Sequence, residues 1–247
     1  MFSCSLGNAK VSFCVFLARC ENKIMKMLTK KEILPIFIIL MMLIIAGSLW
    51  NAPCLPDRMP SHWNAAGEVD GWSGKNFTLL FAPLLALGIY LLMLFLPKLD
   101  PLRKNYAKFV WPYYVMRLAI IVFLALLYLY MIMAGLGYSF KINYFIIPSL
   151  GLMFIAIGLA MPKIKKNYFV GIRTPWTLQS DEVWEKTHQF SGKAFVATGI
   201  LTLPTVFFGE IGLWIFIGLV LLASFGSMGY SYFVFKRLGL FRKKNSS

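Results

Sequence analysis

Residues whose types could support chemistry are few in this sequence, and several of them lie in one connection, residues 53–77. Besides Cys54, this connection contains four residues of types that bind Zn²⁺: Asp57, His62, Glu68 and Asp70. Their spacing matches no standard zinc pattern, because structural zinc sites pair their ligands at short, regular intervals. We therefore predict no metal site here and no cofactor in the chain.

Two further interpretations of this connection remain open. Asn64 and Gly67 lie where they suit tight turns, so the first interpretation is a compact loop. In that loop His62 and Asn64 would hydrogen-bond to turn backbone, and Trp63 and Trp72 would rest at a membrane surface. The second interpretation is a recognition surface for an external ligand, because binding residues concentrate on loops that a rigid scaffold positions.

Enzymatic catalysis is not indicated. The chain contains no G-x-S-x-G, no H-E-x-x-H and no Gly-rich phosphate loop followed by Lys. Its two histidines, His62 and His188, are predicted on opposite sides of a membrane and cannot share one site. The four cysteines show no C-x-x-C spacing, so we predict neither a redox motif nor a disulfide framework.

The composition is that of a membrane protein. Of the 247 residues, 59% are hydrophobic and 14% are charged, and the mean hydropathy is +0.69. A soluble domain has about 45–50% apolar and about 25% charged residues, which excludes an ordinary soluble enzyme and a disordered chain. A helix needs about 20 apolar residues to cross a bilayer. Six segments qualify, and we predict an all-α integral membrane protein, a six-transmembrane-helix bundle with spans at 33–52, 78–97, 112–136, 143–161, 192–209 and 211–235.

The basic residues predict how this bundle is oriented. Twenty-one of the 25 Lys and Arg residues lie in residues 1–32, 98–110, 162–193 and 236–247. Because cytoplasmic connections carry the excess of Lys and Arg, both termini are predicted to be cytoplasmic, with 53–77 outside and 162–191 inside. The same distribution explains the net charge of +15 without nucleic-acid binding. Arg117 lies inside a span, where we predict that it snorkels to the interface; a buried functional Arg is the alternative.

The connection 162–191 begins with a basic run suited to anionic lipid head groups. Ser180 is then a good N-cap for a helix. Four residues share one face at helical spacing, Val183, Thr187, Phe190 and Ala194. We predict an amphipathic helix that runs along the membrane surface into the fifth span. Trp176 and Trp184 would anchor it at the interface; a docking surface for a cytosolic protein is the alternative.

We divide the chain into five parts. They are an N-terminal extension 1–32, a two-helix unit 33–97, a third span with its connections 98–142, a C-terminal unit 143–235 and a basic tail 236–247. Residues 1–24 are predicted to be a mis-assigned or dispensable start, with a short interfacial anchor as the alternative. In the fourth span, Gly151 and Gly158 predict close approach of a neighbouring helix.

The two polar connections resemble known families. The first, with MPSHWN at 59–64 followed by Gly67, Asp70 and Gly71, resembles the domain of unknown function DUF1648. The second, with NYFVGIRTPWTL at 167–178 and VWEKTH at 183–188, resembles the signature of the SdpI family. The resemblance covers roughly residues 33–235, and the second motif is the more specific of the two.

This resemblance implies a multi-pass cell membrane protein of a Gram-positive bacterium that gives immunity to a secreted antimicrobial peptide toxin. It also implies a receptor that holds a cytosolic transcriptional repressor at the membrane, without direct nucleic-acid binding. The residues expected to recognise the external ligand are Pro60, His62, Trp63, Asn64, Gly67 and Asp70. Those expected to form a cytoplasmic partner or signalling surface are Asn167, Gly171, Arg173, Thr174, Pro175, Trp176, Trp184 and His188.

A small-solute permease, or an accessory subunit of a membrane enzyme, is the alternative function. It would need a polar pathway through the bundle. The predicted spans offer only Arg117 with scattered Ser, Thr, Tyr and Asn, and they hold no mid-membrane carboxylate.

Overall fold

The computed structural model describes residues 32–138 and 140–239. The chain divides into two units, 1–37 and 38–247, and the start of the first helix belongs to the first unit. The cysteines and basic residues of 1–31, and the basic residues of 240–247, lie outside the described residues. The elements are α1 (Ile33–Leu49), β1 (Arg58–Trp63), β2 (Val69–Gly74), α2 (Lys75–Leu99), α3 (Val110–Gly135), α4 (Asn143–Ala160), α5 (Pro175–Gln179), α6 (Asp181–Thr202) and α7 (Glu210–Arg237).

Five helical segments among the described residues are long and apolar enough to cross a membrane. They are α2, α3, α4 with the turn that follows it to Lys163, α6 with the turn that follows it to Phe208, and α7. The predicted class, a helical multi-pass membrane protein, is confirmed. The remaining predicted span corresponds to α1, which is apolar but has 17 residues, at the lower limit for a span. The sixth span and the orientation therefore stay predictions.

The fifth predicted span differs from the observed helix. Helix α6 begins at Asp181 and runs unbroken to Thr202, so the predicted surface helix and the span are one element. Ser180 caps it as predicted, its hydroxyl accepting a hydrogen bond from the Val183 N–H at 3.4 Å. The predicted face is confirmed only in part: Val183 and Thr187 are buried, but Phe190 is 39% exposed. Trp184 and His188, which were predicted beside that face, are also buried. The connection that precedes α6 packs over the face of the helix that carries Trp184 and His188, and it buries both side chains.

The connection 53–77 forms an antiparallel β-hairpin that sequence analysis did not predict. Strands β1 and β2 pair with Arg58 opposite Gly74 and Trp63 opposite Val69, with irregular register on both sides of His62. Gly67 closes the turn with φ +83°. Met59 is fully buried, and its methyl group lies against Gly135 of α3, where a Cβ atom would come within 2.4 Å. This contact holds the hairpin against α3 of the bundle.

Helices α4 and α6 make the most extensive helix contact, and glycines allow it. A Cβ atom at Gly199 would lie 2.5 Å from the Gly151 carbonyl oxygen, and one at Gly158 would lie 2.8 Å from the Gly192 carbonyl oxygen. Any side chain at these positions would push the helices apart, since packed interiors hold no spare volume. The close packing predicted from Gly151 and Gly158 is confirmed.

Hydrogen bonds between connections define two opposite ends of the bundle. At the hairpin end (residues 50–74, 136–138, 140–142 and 203–209), the Asn143 amide donates to the Ala65 carbonyl at 3.0 Å and the Gly209 carbonyl at 3.4 Å. At the motif end (residues 100–109, 161–180 and 238–239), Asn105 donates to the Lys166 carbonyl at 2.8 Å. Consecutive spans therefore run in opposite directions between these two ends.

The charge distribution predicts that the hairpin end is extracytoplasmic. With all four cysteines replaced by serine, we expect the Ala65→Cys variant to react with a membrane-impermeant maleimide on intact cells. The Gln179→Cys variant, at the motif end, should react only after the cells are permeabilised. Labelling of both variants on intact cells would show that the predicted orientation is wrong.

Candidate functional sites at the two ends of the bundle

The hairpin brings His62 and Asp70 together. The irregular register of β1 places His62 opposite Gly71, and its Nδ1 lies 2.5 Å from the Asp70 carboxylate. Both side chains are solvent-accessible, at 73% and 42% of their area, so the pair presents a polar surface rather than a buried site. The prediction that His62 bonds to turn backbone was therefore wrong. No set of three potential metal-ligating residues forms among residues 32–138 and 140–239.

Asn64 closes the turn of the hairpin. Its side-chain oxygen accepts a hydrogen bond from the Glu68 N–H at 3.0 Å, and its own N–H donates to the Glu68 carbonyl at 2.9 Å. This is the predicted bond to turn backbone, and Asn64 is suited to it because its short side chain mimics a backbone turn. Asn64 therefore shapes the hairpin from an exposed position.

An aromatic cleft lies on one side of the hairpin, with a volume of about 320 Å³. Trp63 packs edge-on against Tyr130 of α3 with ring centroids 5.3 Å apart, and the Tyr130 hydroxyl donates to the Phe140 carbonyl at 2.8 Å. Trp72 is 51% exposed on the same cleft. Predicted site residues Pro60, Trp63 and Gly67 all line the cleft. The cleft thus offers rigid aromatic surface beside a charged rim that includes Glu68 and Lys141.

An apolar cavity of about 440 Å³ lies on the other side of the hairpin. His62, Trp63 and Asn64 border it, and its walls come from α2, α3 and α4. Trp63 lines both the aromatic cleft and the apolar cavity. The volume falls within the range of about 300–1,000 Å³ that is typical of ligand pockets.

At the motif end, Asn167 organises the connection between α4 and α5. The side chain is completely buried and makes five hydrogen bonds. Its oxygen accepts from the N–H groups of Phe169 at 2.9 Å and Val170 at 2.7 Å, and from the Tyr106 hydroxyl at 3.3 Å. Its amide donates to the carbonyls of Lys165 at 2.9 Å and Val170 at 3.0 Å. Asn167 is therefore part of the internal framework and presents no surface to a partner.

Asp100 and Tyr106, which sequence analysis missed, join this framework from the α2–α3 connection. The buried Asp100 carboxylate accepts from the Leu102 N–H at 2.7 Å, the Tyr168 N–H at 2.8 Å and the Tyr106 hydroxyl at 3.1 Å. Burial, reinforced by the adjacent Asp100 charge, raises the pKa of Tyr106, so its hydroxyl stays protonated and donates. The one available signal was that Asp100 is the single acidic residue in a basic connection.

His188 and Trp184 lock the same connection onto α6. The His188 Nδ1–H donates to the Trp184 carbonyl at 2.8 Å, and its Nε2 accepts from the Ile172 N–H at 3.1 Å. The Trp184 indole donates to the Ile164 carbonyl at 2.8 Å and stacks on His188. Gly171 has φ +104° because it passes directly over the His188 ring. Trp184 is therefore a core residue, and its predicted role as an interfacial anchor was wrong.

Thr174 ends the connection by capping α5. Its hydroxyl accepts from the Thr177 N–H at 3.2 Å, the Thr177 hydroxyl accepts from the Thr174 N–H at 2.9 Å, and Ser231 of α7 lies 3.0 Å from the Thr174 hydroxyl. Trp176 packs against Tyr232. Arg173 and Pro175 are exposed, and the Arg173 guanidinium donates to the Tyr168 carbonyl at 2.6 Å. Only these two of the eight predicted motif residues are exposed.

Arg117 is buried in α3 at 4% exposure, so the prediction that it snorkels was wrong. Its guanidinium lies 5.4 Å from the Tyr90 ring centroid and 5.6 Å from that of Tyr113. Tyr113 is held in turn by a hydrogen bond from its hydroxyl to the Met93 carbonyl. Two aromatic faces thus surround the charge, and cation–π attraction is strongest where water is excluded.

Several polar residues of the described spans bond within their own helices. Four buried hydroxyls donate to a carbonyl of their own helix or of the turn that continues it, at 2.6–2.7 Å: Ser149, Ser191, Thr202 and Ser227. Such bonds satisfy the hydroxyls within one helix. They therefore give the permease alternative no support.

These features define a multi-pass helical membrane protein with a hairpin at one end and an interlocked loop motif at the other. Residues 163–231 match the SdpI/YfhL protein family, and residues 36–87 match the domain of unknown function DUF1648. The chain is 30% identical to the immunity protein SdpI of Bacillus subtilis (strain 168) over 210 residues, which cover 85% of this chain and 98% of that protein. The chain belongs to the SdpI/YfhL family, as its sequence resemblance predicted. No solved structure matches it.

Proposed function

We propose that this protein is a membrane immunity protein that protects the cell producing it against a secreted antimicrobial peptide toxin. The observation that carries the proposal is its similarity to the immunity protein SdpI over 98% of that protein's length. The similarity covers 85% of this chain, so it is not confined to one module.

We place toxin recognition at the hairpin end, on the aromatic cleft and the adjoining polar edge. The residues proposed are Pro60, His62, Trp63, Asn64, Gly67 and Asp70. The cleft supports this placement because half-exposed aromatic side chains on a rigid support resemble the residues that dominate binding energy at protein interfaces. Trp72 joins the proposed set, since it lines the same cleft and is 51% exposed.

The test compares two tryptophans of equal exposure at opposite ends of the bundle. In a toxin-sensitive bacterium exposed to an Sdp-type peptide, the wild-type protein should preserve the membrane potential read by a potential-sensitive dye. Trp72→Ala should raise sensitivity at least about tenfold, because interface tryptophans commonly contribute about 2 kcal/mol or more. Trp111→Ala, which removes a tryptophan that is 52% exposed near the motif end, should protect as well as wild type.

Two outcomes would count against this proposal in different ways. Collapse of the potential with abundant wild-type protein in the membrane would contradict immunity to that toxin. Full protection by Trp72→Ala would leave immunity standing but remove the aromatic cleft as its recognition surface.

A second proposed role is capture of a cytosolic transcriptional repressor at the motif end. Arg173 supports it, because this exposed guanidinium is oriented by its bond to the Tyr168 carbonyl and can bind a carboxylate with fixed geometry. Arg173→Ala should release a fluorescent repressor from the membrane fraction while leaving toxin protection intact. Unchanged co-fractionation would contradict this use of Arg173.

A further inference from the structure

We propose that the apolar cavity is a binding site for one alkyl chain of a bilayer lipid, which enters sideways between the helices at the hairpin end. The cavity lies within membrane-spanning segments, so bilayer lipid is the one ligand class present around it at all times. This inference is independent of the immunity function and adds a ligand to the side of the hairpin opposite the aromatic cleft.

The open side of the cavity is formed by α2. Phe77, Phe81 and Leu85 recur every four residues along that helix, line the cavity and are 59%, 48% and 38% exposed. Residues at this spacing lie on one face of a helix. The wall that borders the cavity is therefore also the wall that faces the bilayer, and a chain can enter laterally without crossing the hairpin.

The opposite wall is closed. Leu124 and Met131 of α3 and Ile142 before α4 line the cavity but are only 6–7% exposed. A chain that lies against these side chains must therefore have entered the cavity. An empty space here would deprive the lining of dispersion contacts, which a flexible alkyl chain restores.

Apolar walls below the hairpin edge argue against a polar solute as the ligand. At the edge, Ser61 and Ser73 share a hydrogen bond of 2.8 Å, His62 contacts Asp70 at 2.5 Å, and the Asn64 oxygen accepts the Glu68 N–H at 3.0 Å. The rest of the lining is largely apolar, and desolvating a polar group without a new hydrogen bond is unfavourable. An alkyl chain needs no hydrogen-bond partner.

Adjacent residues of α3 provide a matched test. Leu127 lines the apolar cavity, whereas Leu126 lines a different apolar pocket of about 230 Å³. Leu127→Trp would project an indole ring into the cavity and narrow it, and Leu126→Trp makes the same substitution one residue away. Both proteins are reconstituted into nanodiscs that contain a phospholipid with a diazirine on its acyl chain, illuminated, and digested for mass spectrometry.

We expect photolabel on Leu124, Met131 or Ile142 in the wild-type protein and in Leu126→Trp, and at least a fivefold loss of that label in Leu127→Trp. Leu85→Trp provides a second way to block the cavity from its exposed side, should Leu127→Trp elute as aggregate. Equal labelling in wild type and both cavity variants would overturn the proposal. So would labelling of these positions by a peptide toxin carrying an aliphatic diazirine, if the lipid leaves them unlabelled.

Discussion

Gly171→Ala is expected to lower the free energy of unfolding of the protein by about 2–5 kcal/mol. Two costs add at this position. An alanine in the left-handed region costs about 1–2 kcal/mol, and Gly171 has φ +104°. Its new Cβ atom would lie 2.2 Å from Nε2 of His188, and overpacking of this kind costs a further 1–3 kcal/mol.

The clash cannot be relieved by rotating the histidine away. Its ring stacks on Trp184 with centroids 4.1 Å apart, and the Trp184 indole is held by the Ile164 carbonyl. Nε2 of His188 also accepts the Ile172 N–H. Movement would therefore break the contacts that hold the connection on α6.

Gly137→Ala separates the conformational cost from the steric cost. Gly137 also has positive φ, at +92°, but a Cβ atom there would meet nothing within 4 Å. Only the conformational cost should appear, at about 1–2 kcal/mol. With about 2–4 °C per kcal/mol for a chain of this size, the expected drops in Tm are about 2–8 °C for Gly137→Ala and about 4–20 °C for Gly171→Ala. Intrinsic tryptophan fluorescence of the detergent-solubilised protein measures both.

A double variant tests the stated cause. His188→Ala removes the atom with which the new methyl group collides. The double variant should therefore lose about 1–3 kcal/mol less stability than the sum of the losses in Gly171→Ala and His188→Ala. Additive effects, or equal Tm values for Gly171→Ala and Gly137→Ala, would show that contact with the histidine is not the origin of the instability.

The parts of the fold that the sequence predicted correctly are those set by local spacing. Apolar runs predict spans because each run must satisfy its own backbone in lipid. Ser180 predicts a helix start because its cap bond reaches only three residues ahead, and Gly151 and Gly158 predict close packing because their spacing places them on one face. Each of these signals lies within a few residues of the structure that it predicts.

The parts that the sequence did not reveal depend on distant partners. The Asp100 carboxylate receives the Tyr168 N–H across 68 positions, and the Tyr106 hydroxyl reaches Asn167 across 61. The hairpin was missed for a related reason. Pro60, Gly71 and Gly74 are weak strand formers, and β1 and β2 form because Met59 inserts beside Gly135 and fixes their position.

At the candidate sites, too, the sequence predicted some features correctly and missed others. At the hairpin end, His62, Asn64 and Asp70 are exposed and Trp63 is half-buried, whereas Pro60 and Gly67 are buried, and the pairings differ from those expected. At the motif end, a family signature was taken as a partner surface, whereas Asn167, Thr174, Trp184 and His188 are buried and hold the connection together. A recognisable motif thus marks a demanding local structure as readily as a binding surface, and only burial distinguishes the two.

Asn167→Ala should be the most damaging alanine substitution of a polar residue at the motif end, at about 3–5 kcal/mol. It removes five hydrogen bonds from a fully buried side chain. Each bond contributes about 0.5–1.5 kcal/mol, and the backbone groups left buried without partners add to the cost. The expected drop in Tm is about 6–20 °C.

Asn105→Ala is the matched control, since Asn105 is a half-buried asparagine of the same end whose side chain donates to the Lys166 carbonyl. It should cost about 1 kcal/mol. Asn167→Asp should cost at least as much as Asn167→Ala, because it buries a second carboxylate near Asp100 and turns an oxygen toward the Lys165 and Val170 carbonyls.

The order of the three Tm values decides whether the motif is an internal framework. Tm values of Asn167→Ala and Asn167→Asp that both lie well below that of Asn105→Ala would mean that hydrogen bonds made inside the connection hold the motif end together. Asn167→Ala could instead unfold at the wild-type temperature but fail to retain a fluorescent repressor at the membrane. The Asn167 side chain would then serve recognition, and it would have to become exposed when the partner binds. Because a fully buried amide cannot contact a partner without breaking its own five bonds, we expect the first result.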